Sequence, residues 1–212
     1  LARGCPPALD HTVITPAVDA EAVPAADPGG PGPLRLVAVG RLHWKKAHHH
    51  VLAALAHLRA EGVAATLRIV GDGPELAALA FARHQLDLDD VVEFVRDQDR
   101  PGAWAEMAAA QVLVHGAVSE GFGNAVLAAQ AAGLPVVTTD AEGLADNIEP
   151  GVTGLLVPRR DPVAMAAALA ELADDPARRV ALGRAGRERA RVRFRPSDQR
   201  AAFAAFFARA VA

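Results

Sequence analysis

Apolar residues gather in six short runs, separated by stretches with helical spacing and by glycine-marked breaks. Leu34-Arg35-Leu36-Val37-Ala38-Val39-Gly40 reads as a buried strand with a glycine stop. Thr66-Leu67-Arg68-Ile69-Val70, Val91-Val92-Glu93-Phe94-Val95 and Gln111-Val112-Leu113-Val114 repeat the pattern. Leu134 to Thr138 and Thr153-Gly154-Leu155-Leu156-Val157 complete the set. Between the runs, Val51, Leu52, Leu55 and Leu58 mark a helix from about Lys46 to Glu61. Leu76, Leu79 and Ala80 mark another that has Pro74 in its first turn. Short helices are predicted around Trp104 to Ala110 and Ala145 to Ile148. From Pro162 the pattern is helical: one helix to about Ala173, one from Pro176 to Arg191, and a last after Pro196-Ser197. Strand and helix alternating six times predict an α/β fold, a parallel sheet with helices on both faces. Ala25 to Pro33 is too rich in proline and glycine for either element and reads as linker.

Composition narrows the class of protein. A hydrophobic content of 51% and a charged content of 22% suit a soluble globular chain. Aromatics are only 4%, so abundant alanine packs the helices closely on the sheet. A net charge of −3 argues against general nucleic-acid binding. The charge is uneven: nine Arg and two acidic residues lie between positions 178 and 200. That run reads as a solvated helix face, with an acidic membrane surface or a partner domain as the sharper alternative. Cys5, a lone cysteine, allows no internal disulfide and fits a reducing compartment. No apolar run nears the ~20 residues that span a bilayer. The chain begins at Leu1 rather than Met, and a fragment of something longer is expected.

Candidate chemistry centres on Ser119-Glu120-Gly121-Phe122-Gly123-Asn124, where a loop turns into a helix. Two glycines there let a ligand approach the backbone. The unpaired N–H groups of the first helical turn, with the positive end of the helix dipole, suit a phosphate. Glu120, just before the junction, can accept hydrogen bonds from sugar hydroxyls. Gly40-Arg41, Gly71-Asp72 and Ser119-Glu120 all fall beyond the carboxyl ends of predicted strands, where ligands bind in such sheets.

Five motifs in order carry a family resemblance: Gly40-Arg41-Leu42-His43-Trp44-Lys45-Lys46, Gly71-Asp72-Gly73-Pro74, Ser119-Glu120-Gly121-Phe122-Gly123, Gly133-Leu134-Pro135-Val136-Val137 and Gly151-Val152-Thr153-Gly154-Leu155-Leu156-Val157-Pro158. Together they resemble the carboxyl-terminal, donor-binding domain of the family 4 (group 1) retaining glycosyltransferases. The resemblance implies a Rossmann-like sheet of about six strands, one half of the two-domain GT-B architecture. It implies a nucleotide diphosphate sugar as donor substrate, with no metal and no other cofactor. By the same resemblance Arg41 and Lys46 neutralise the donor diphosphate, the N–H groups of Phe122, Gly123 and Asn124 cradle it, and Glu120 contacts the transferred hexose. Arg96, Asp97 and Gln98 fall where the family holds the base.

It further implies that residues 1–33 are a hinge remnant and 34–194 the nucleotide-sugar-binding domain. Residues 195–212 form a terminal helix returning to an amino-terminal domain. That domain would hold the glycan, lipid or small-molecule acceptor, so no catalytic acid, base or nucleophile is assigned here, and the chain alone is expected to be inactive. A cytoplasmic location follows, with the inner face of a membrane as an option.

Departures from the family pattern matter as much. A second carboxylate, eight positions after Glu120, grips the ribose in the family; here it is Ala128, and Gln130 points to another helix face. Ala17, Ala47, Arg96 and Ala117 stand where the family has glycine or serine, and Ala47 fits only if its backbone avoids positive φ. Arg96 is a candidate for a new phosphate or base contact. A degenerate, non-catalytic partner module is therefore the alternative function, and a nucleotide-sugar epimerase a third. His48-His49-His50 point about 100° apart on a helix and cannot converge on one metal, so a solvent-facing helix start is expected. His115 is either a pocket residue or a simple strand end. Phe203, Phe206 and Phe207 are either core packing or contacts to another domain.

Overall fold

The computed structural model describes residues 12–210. Cys5 and the first part of the expected hinge, residues 1–11, lie outside them.

Six strands form one parallel sheet: β1 (Leu34–Val39), β2 (Ala65–Val70), β3 (Val92–Val95), β4 (Val112–His115), β5 (Val136–Thr139) and β6 (Gly154–Val157). Their order, β3-β2-β1-β4-β5-β6, is doubly wound, and the chain reverses direction between β1 and β4. The helices are α1 (His48–Ala60), α2 (Leu76–Gln85), α3 (Arg100–Ala109), α4 (Asn124–Ala132), α5 (Leu144–Asn147), α6 (Pro162–Asp174), α7 (Pro176–Arg193) and α8 (Pro196–Ala210). Strand residues alternate between two apolar layers. Leu34, Leu36 and Ala38 of β1 face α1, α2 and α6, whereas Val37 faces the layer built with α3, α4 and the end of α7.

Local chemistry moves several boundaries. The helix predicted from Trp104 begins at Arg100, because Asp99 Oδ1 accepts from the Gly102 N–H at 2.8 Å and Pro101 suits a first turn. β5 begins at Val136 rather than Leu134. Gly133 ends α4 in the left-handed region, and Leu134 N donates back to Ala129 O at 2.9 Å. Pro74 precedes α2 by two residues instead of sitting in its first turn.

Residues 12–33 form neither helix nor strand, yet they are bound to the domain. Val18 N donates to Phe194 O at 2.9 Å and Ala26 N to Ala132 O at 2.8 Å, while Ala20 and Val23 are buried. The arginine run is only partly solvated. Arg179 is buried and donates to Pro28 O at 2.6 Å and to Ala173 O at 3.2 Å. The core-packing reading is corrected for Phe203 and Phe207, which are 44% and 60% exposed with their rings stacked on each other, while Phe206 is half-buried and edge-on to Phe207. No helix among the described residues is long and apolar enough to cross a membrane.

Candidate functional site

The loops after β1 and β4 meet at the reversal point of the sheet. Gly40 N donates to Val70 O at 3.0 Å and Leu42 N to Asp72 O at 2.8 Å, tying the first loop to the one after β2. Val118 N donates to Lys45 O at 2.9 Å, tying it to the loop after β4. Residues far apart in sequence thereby line one open cavity of about 440 Å³: Arg41, His43, Lys45, Lys46, Ser119, Glu120 and Gly121.

Three side chains interlock beside it. The Lys46 ammonium contacts Glu120 Oε2, and His115 Nε2 lies 3.2 Å from the same oxygen. His115 sits at the end of β4, completely buried behind Glu120, so it backs the site rather than lining it. Burial pushes the Glu120 carboxyl up. The hydrogen bond from His115 and the contact with Lys46 outweigh it and hold the pKa at about 2. Burial pushes the His115 ring down against the pull of Glu120, which keeps the imidazole neutral. An ionised carboxylate only accepts, so the His115 proton resides on Nε2. The cavity thus presents a fixed carboxylate beside cations, an arrangement suited to sugar hydroxyls next to an anion.

The anion-suited turn adjoins this trio. Gly123 precedes α4 with φ 87°, and a Cβ there would lie 2.6 Å from Leu144 Cδ2, so only glycine fits. Among the described residues no acceptor meets the N–H of Phe122, Gly123 or Asn124. The Phe122 ring itself is buried, edge-on to Phe194. A larger cavity of about 570 Å³ opens on the other side of Gly40, walled by Asn124, Leu127, Ala128, Trp104 and Arg100. Ala128 therefore borders that cavity next to the turn, though only 8% exposed, while Gln130 is fully buried and bonded to Asn147.

Arg96, Asp97 and Gln98 line neither cavity. Arg96 instead lies against Asp72 Oδ2, with Nε at 3.1 Å and Nη2 at 2.7 Å, and Gln98 Nε2 donates to Arg96 O.

Two expectations for the loop after β1 are corrected. Lys46 lies not in α1 but in a 3-10 turn, Trp44–Lys46, and Ala47 makes the break with φ 48° and ψ 44°. A buried alanine thus occupies the left-handed region that the sequence reading required it to avoid. The strain is about 1–2 kcal/mol, partly offset by the lower unfolded-state entropy of alanine. Ala47→Gly is expected to gain about 1 kcal/mol and raise Tm by roughly 2–3 °C in thermal melts; an unchanged or lower Tm would refute the strain. The solvent-facing helix start is corrected as well. His49 is exposed, but His48 is 1% exposed and packs under the loop beside Arg41.

A doubly wound α/β domain with an anion-suited turn and a fixed carboxylate at its reversal point is the class that fold and site define. Within that class the chain belongs to the glycosyl transferases group 1 family, whose model matches residues 27–189. It is 35% identical over 185 residues to glycogen synthase of Mycobacterium tuberculosis, covering 87% of this chain and 45% of that protein. Sucrose-phosphate synthase from Thermosynechococcus elongatus superposes with a TM-score of 0.85 at 26% identity, covering 93% of this chain and 52% of that one. Anabaena HepE in complex with UDP-glucose superposes at 0.78 with 23% identity, covering 83% and 49%. The chain spans about half the length of these relatives. Its Rossmann-like fold is that of one half of the GT-B architecture.

Proposed function

We propose that this chain is the donor-binding part of a retaining glycosyltransferase that moves a hexose from a nucleotide diphosphate sugar to a glycan, lipid or small-molecule acceptor. The observation that carries this reading is the convergence of Arg41, Lys46 and Glu120 on one cavity at the reversal point of the sheet, beside the turn whose Phe122, Gly123 and Asn124 amides meet no acceptor among the described residues. The diphosphate lies between the Arg41 and Lys46 cations and the α4 N-terminus. There it is stabilised as charge builds on the departing nucleotide. Glu120 accepts hydrogen bonds from hexose hydroxyls, held ionised by Lys46 and His115. Nucleoside atoms occupy the larger cavity between Trp104 and Ala128, with the base towards Arg100, which follows the Arg96-Asp97-Gln98 loop. The acceptor binds a second domain across the cleft, so this half positions the donor and stabilises charge rather than transferring a proton. The reading places the protein in the cytoplasm, with the inner membrane face as an option. HepE, whose complex contains UDP-glucose, supports a nucleotide-sugar donor for the fold.

Ala128 favours a second reading, a non-catalytic module of the same fold. One variant separates the two. Ala128 faces the larger cavity, so Ala128→Glu projects a carboxylate to where ribose hydroxyls would lie. A donor site gains about 10- to 100-fold in affinity for UDP, GDP or ADP by calorimetry, as one or two charge-assisted hydrogen bonds allow. A module without a working donor site shows no gain, and wild type shows no nucleotide protection in thermal melts.

A further inference from the structure

Behind the anion-suited turn lies a buried amide pair that touches neither cavity. Asn147, at the end of α5, is fully buried; its Nδ2 donates to Phe122 O at 3.0 Å and to Gly123 O at 3.1 Å. Its own Oδ1 accepts from Gln130 Nε2 at 2.7 Å, and Gln130 is fully buried on α4. Arg189 Nε donates to the Asn147 carbonyl at 3.2 Å, anchoring the backbone that carries the amide.

We infer that Asn147 is the positioning residue that aims the amides of the phosphate-suited turn into the donor site; the inference rests on the donor-site reading above. In a trans peptide the carbonyl and the following N–H point in opposite directions. Gly123 O also accepts from Leu127 N at 3.0 Å, so the plane that Asn147 alone holds is that of Phe122 O. Drawing it inward turns the Gly123 N–H outward, and the second bond reinforces the outward Asn124 N–H. These are amides that meet no acceptor among the described residues. Asn124 borders the larger cavity beside Gly40, so outward means towards the ligand. The opposite end of the same turn is gripped separately. Gly143 N donates to Glu120 O at 2.9 Å, and Glu142 Oε2 accepts from Glu120 N at 3.2 Å. That approach is possible only without a Cβ, which at Gly143 would lie 1.7 Å from Gly121 O.

Apolar side chains of similar size would spare the buried Gln130 Oε1, which has no partner among the described residues, but would leave Phe122 O without a donor, so what the pair serves is the carbonyls of the turn. Neither amide lines one of the two cavities. What the arrangement fixes is the direction of two peptide planes.

The test compares UDP, GDP and ADP, each against its own nucleoside, on the full chain by calorimetry and NMR titration. Asn147→Leu keeps the shape and removes the donor; Asn147→Ala removes it without risk of overpacking. Both are expected to lower diphosphate affinity about 10-fold, roughly one charge-assisted hydrogen bond, while nucleoside affinity stays within about twofold. Loss of both ligands in parallel, or of neither, overturns the positioning role and leaves the donor site standing. If wild type binds none of the three diphosphates more tightly than its nucleoside, the donor-site reading fails and this inference with it.

Discussion

Lys46→Ala is expected to weaken UDP, GDP or ADP binding by about 100-fold, more than Arg41→Ala at about 10-fold. Both side chains border the smaller cavity, and each can supply a charge-assisted hydrogen bond of about 1.5–3 kcal/mol to a phosphate oxygen. Lys46 differs because it also neutralises Glu120. Removing it leaves an uncompensated carboxylate facing the diphosphate, and like charges near a protein surface repel by about 1–4 kcal/mol at contact distance. The losses combine at one residue. Adding Glu120→Gln to Lys46→Ala removes the repulsion, so the double variant is expected to recover about tenfold over Lys46→Ala, a positive coupling. Calorimetric titration of wild type, Arg41→Ala, Lys46→Ala, Glu120→Gln and the double variant checks this. A Lys46→Ala protein within threefold of wild type would exclude Lys46 from the diphosphate site. A double variant weaker than Lys46→Ala would show that Glu120 does not oppose the anion.

The coupling was only half legible in the sequence. Arg41, Lys46 and Glu120 were recognisable because they follow strands whose apolar runs are plain. The order of those strands places their carboxyl ends together whatever the details of packing. Their mutual contact was not legible. It depends on Val118 N reaching Lys45 O, a loop-to-loop hydrogen bond that leaves no trace in periodicity. His115 illustrates the same limit: β4 is buried along its whole length, so no polar position in the strand marks which face His115 takes. Asn147 carried no signal at all. A lone amide in a short helix reads as surface, and only the fold of α5 against α4 shows that its partners are Gln130 and two carbonyls.

Other departures have a common origin in backbone breaks. The helix pattern through Lys46 continued smoothly in sequence because lysine, alanine and histidine are all tolerated in helices. The left-handed Ala47 nevertheless splits it and rotates the next residue inward. A glycine there would have announced the break; alanine concealed it. That rotation buried His48, whose position gives rise to the remaining prediction.

His48→Leu is expected to flatten the acid sensitivity of the fold between about pH 6.5 and pH 4. Burial is the main cause that lowers the His48 pKa to about 4. The neighbouring His115, Lys46 and His49 push the same way, and the Arg41 backbone opposes them. In the unfolded chain the ring titrates near 6.5, so below that pH the unfolded state binds a proton that the folded state refuses. Stability therefore falls as pH drops from about 6.5 to about 4, by ~1.4 kcal/mol per unit and about 3 kcal/mol in all. Glu120 acts in a different window. Its folded pKa of about 2 lies below the ordinary 4.5, so its contribution is present above pH 4.5 and is lost between 4.5 and 2. His115, also pushed down by burial, adds acid sensitivity of the same sign below its ordinary range, so the variant removes one proton's worth of slope rather than all of it. Neither ring nitrogen of His48 completes a hydrogen bond among the described residues, and its approach to the Arg41 backbone is the one polar contact that leucine removes. At pH 5 the variant is expected to be about 2 kcal/mol more stable than wild type, or roughly 4–8 °C in Tm, with a smaller difference at pH 7.5. Thermal melts from pH 4.5 to 8 check it: curves that stay parallel for the two proteins would mean that His48 is protonated in the folded state, with water or a rearranged loop solvating its ring.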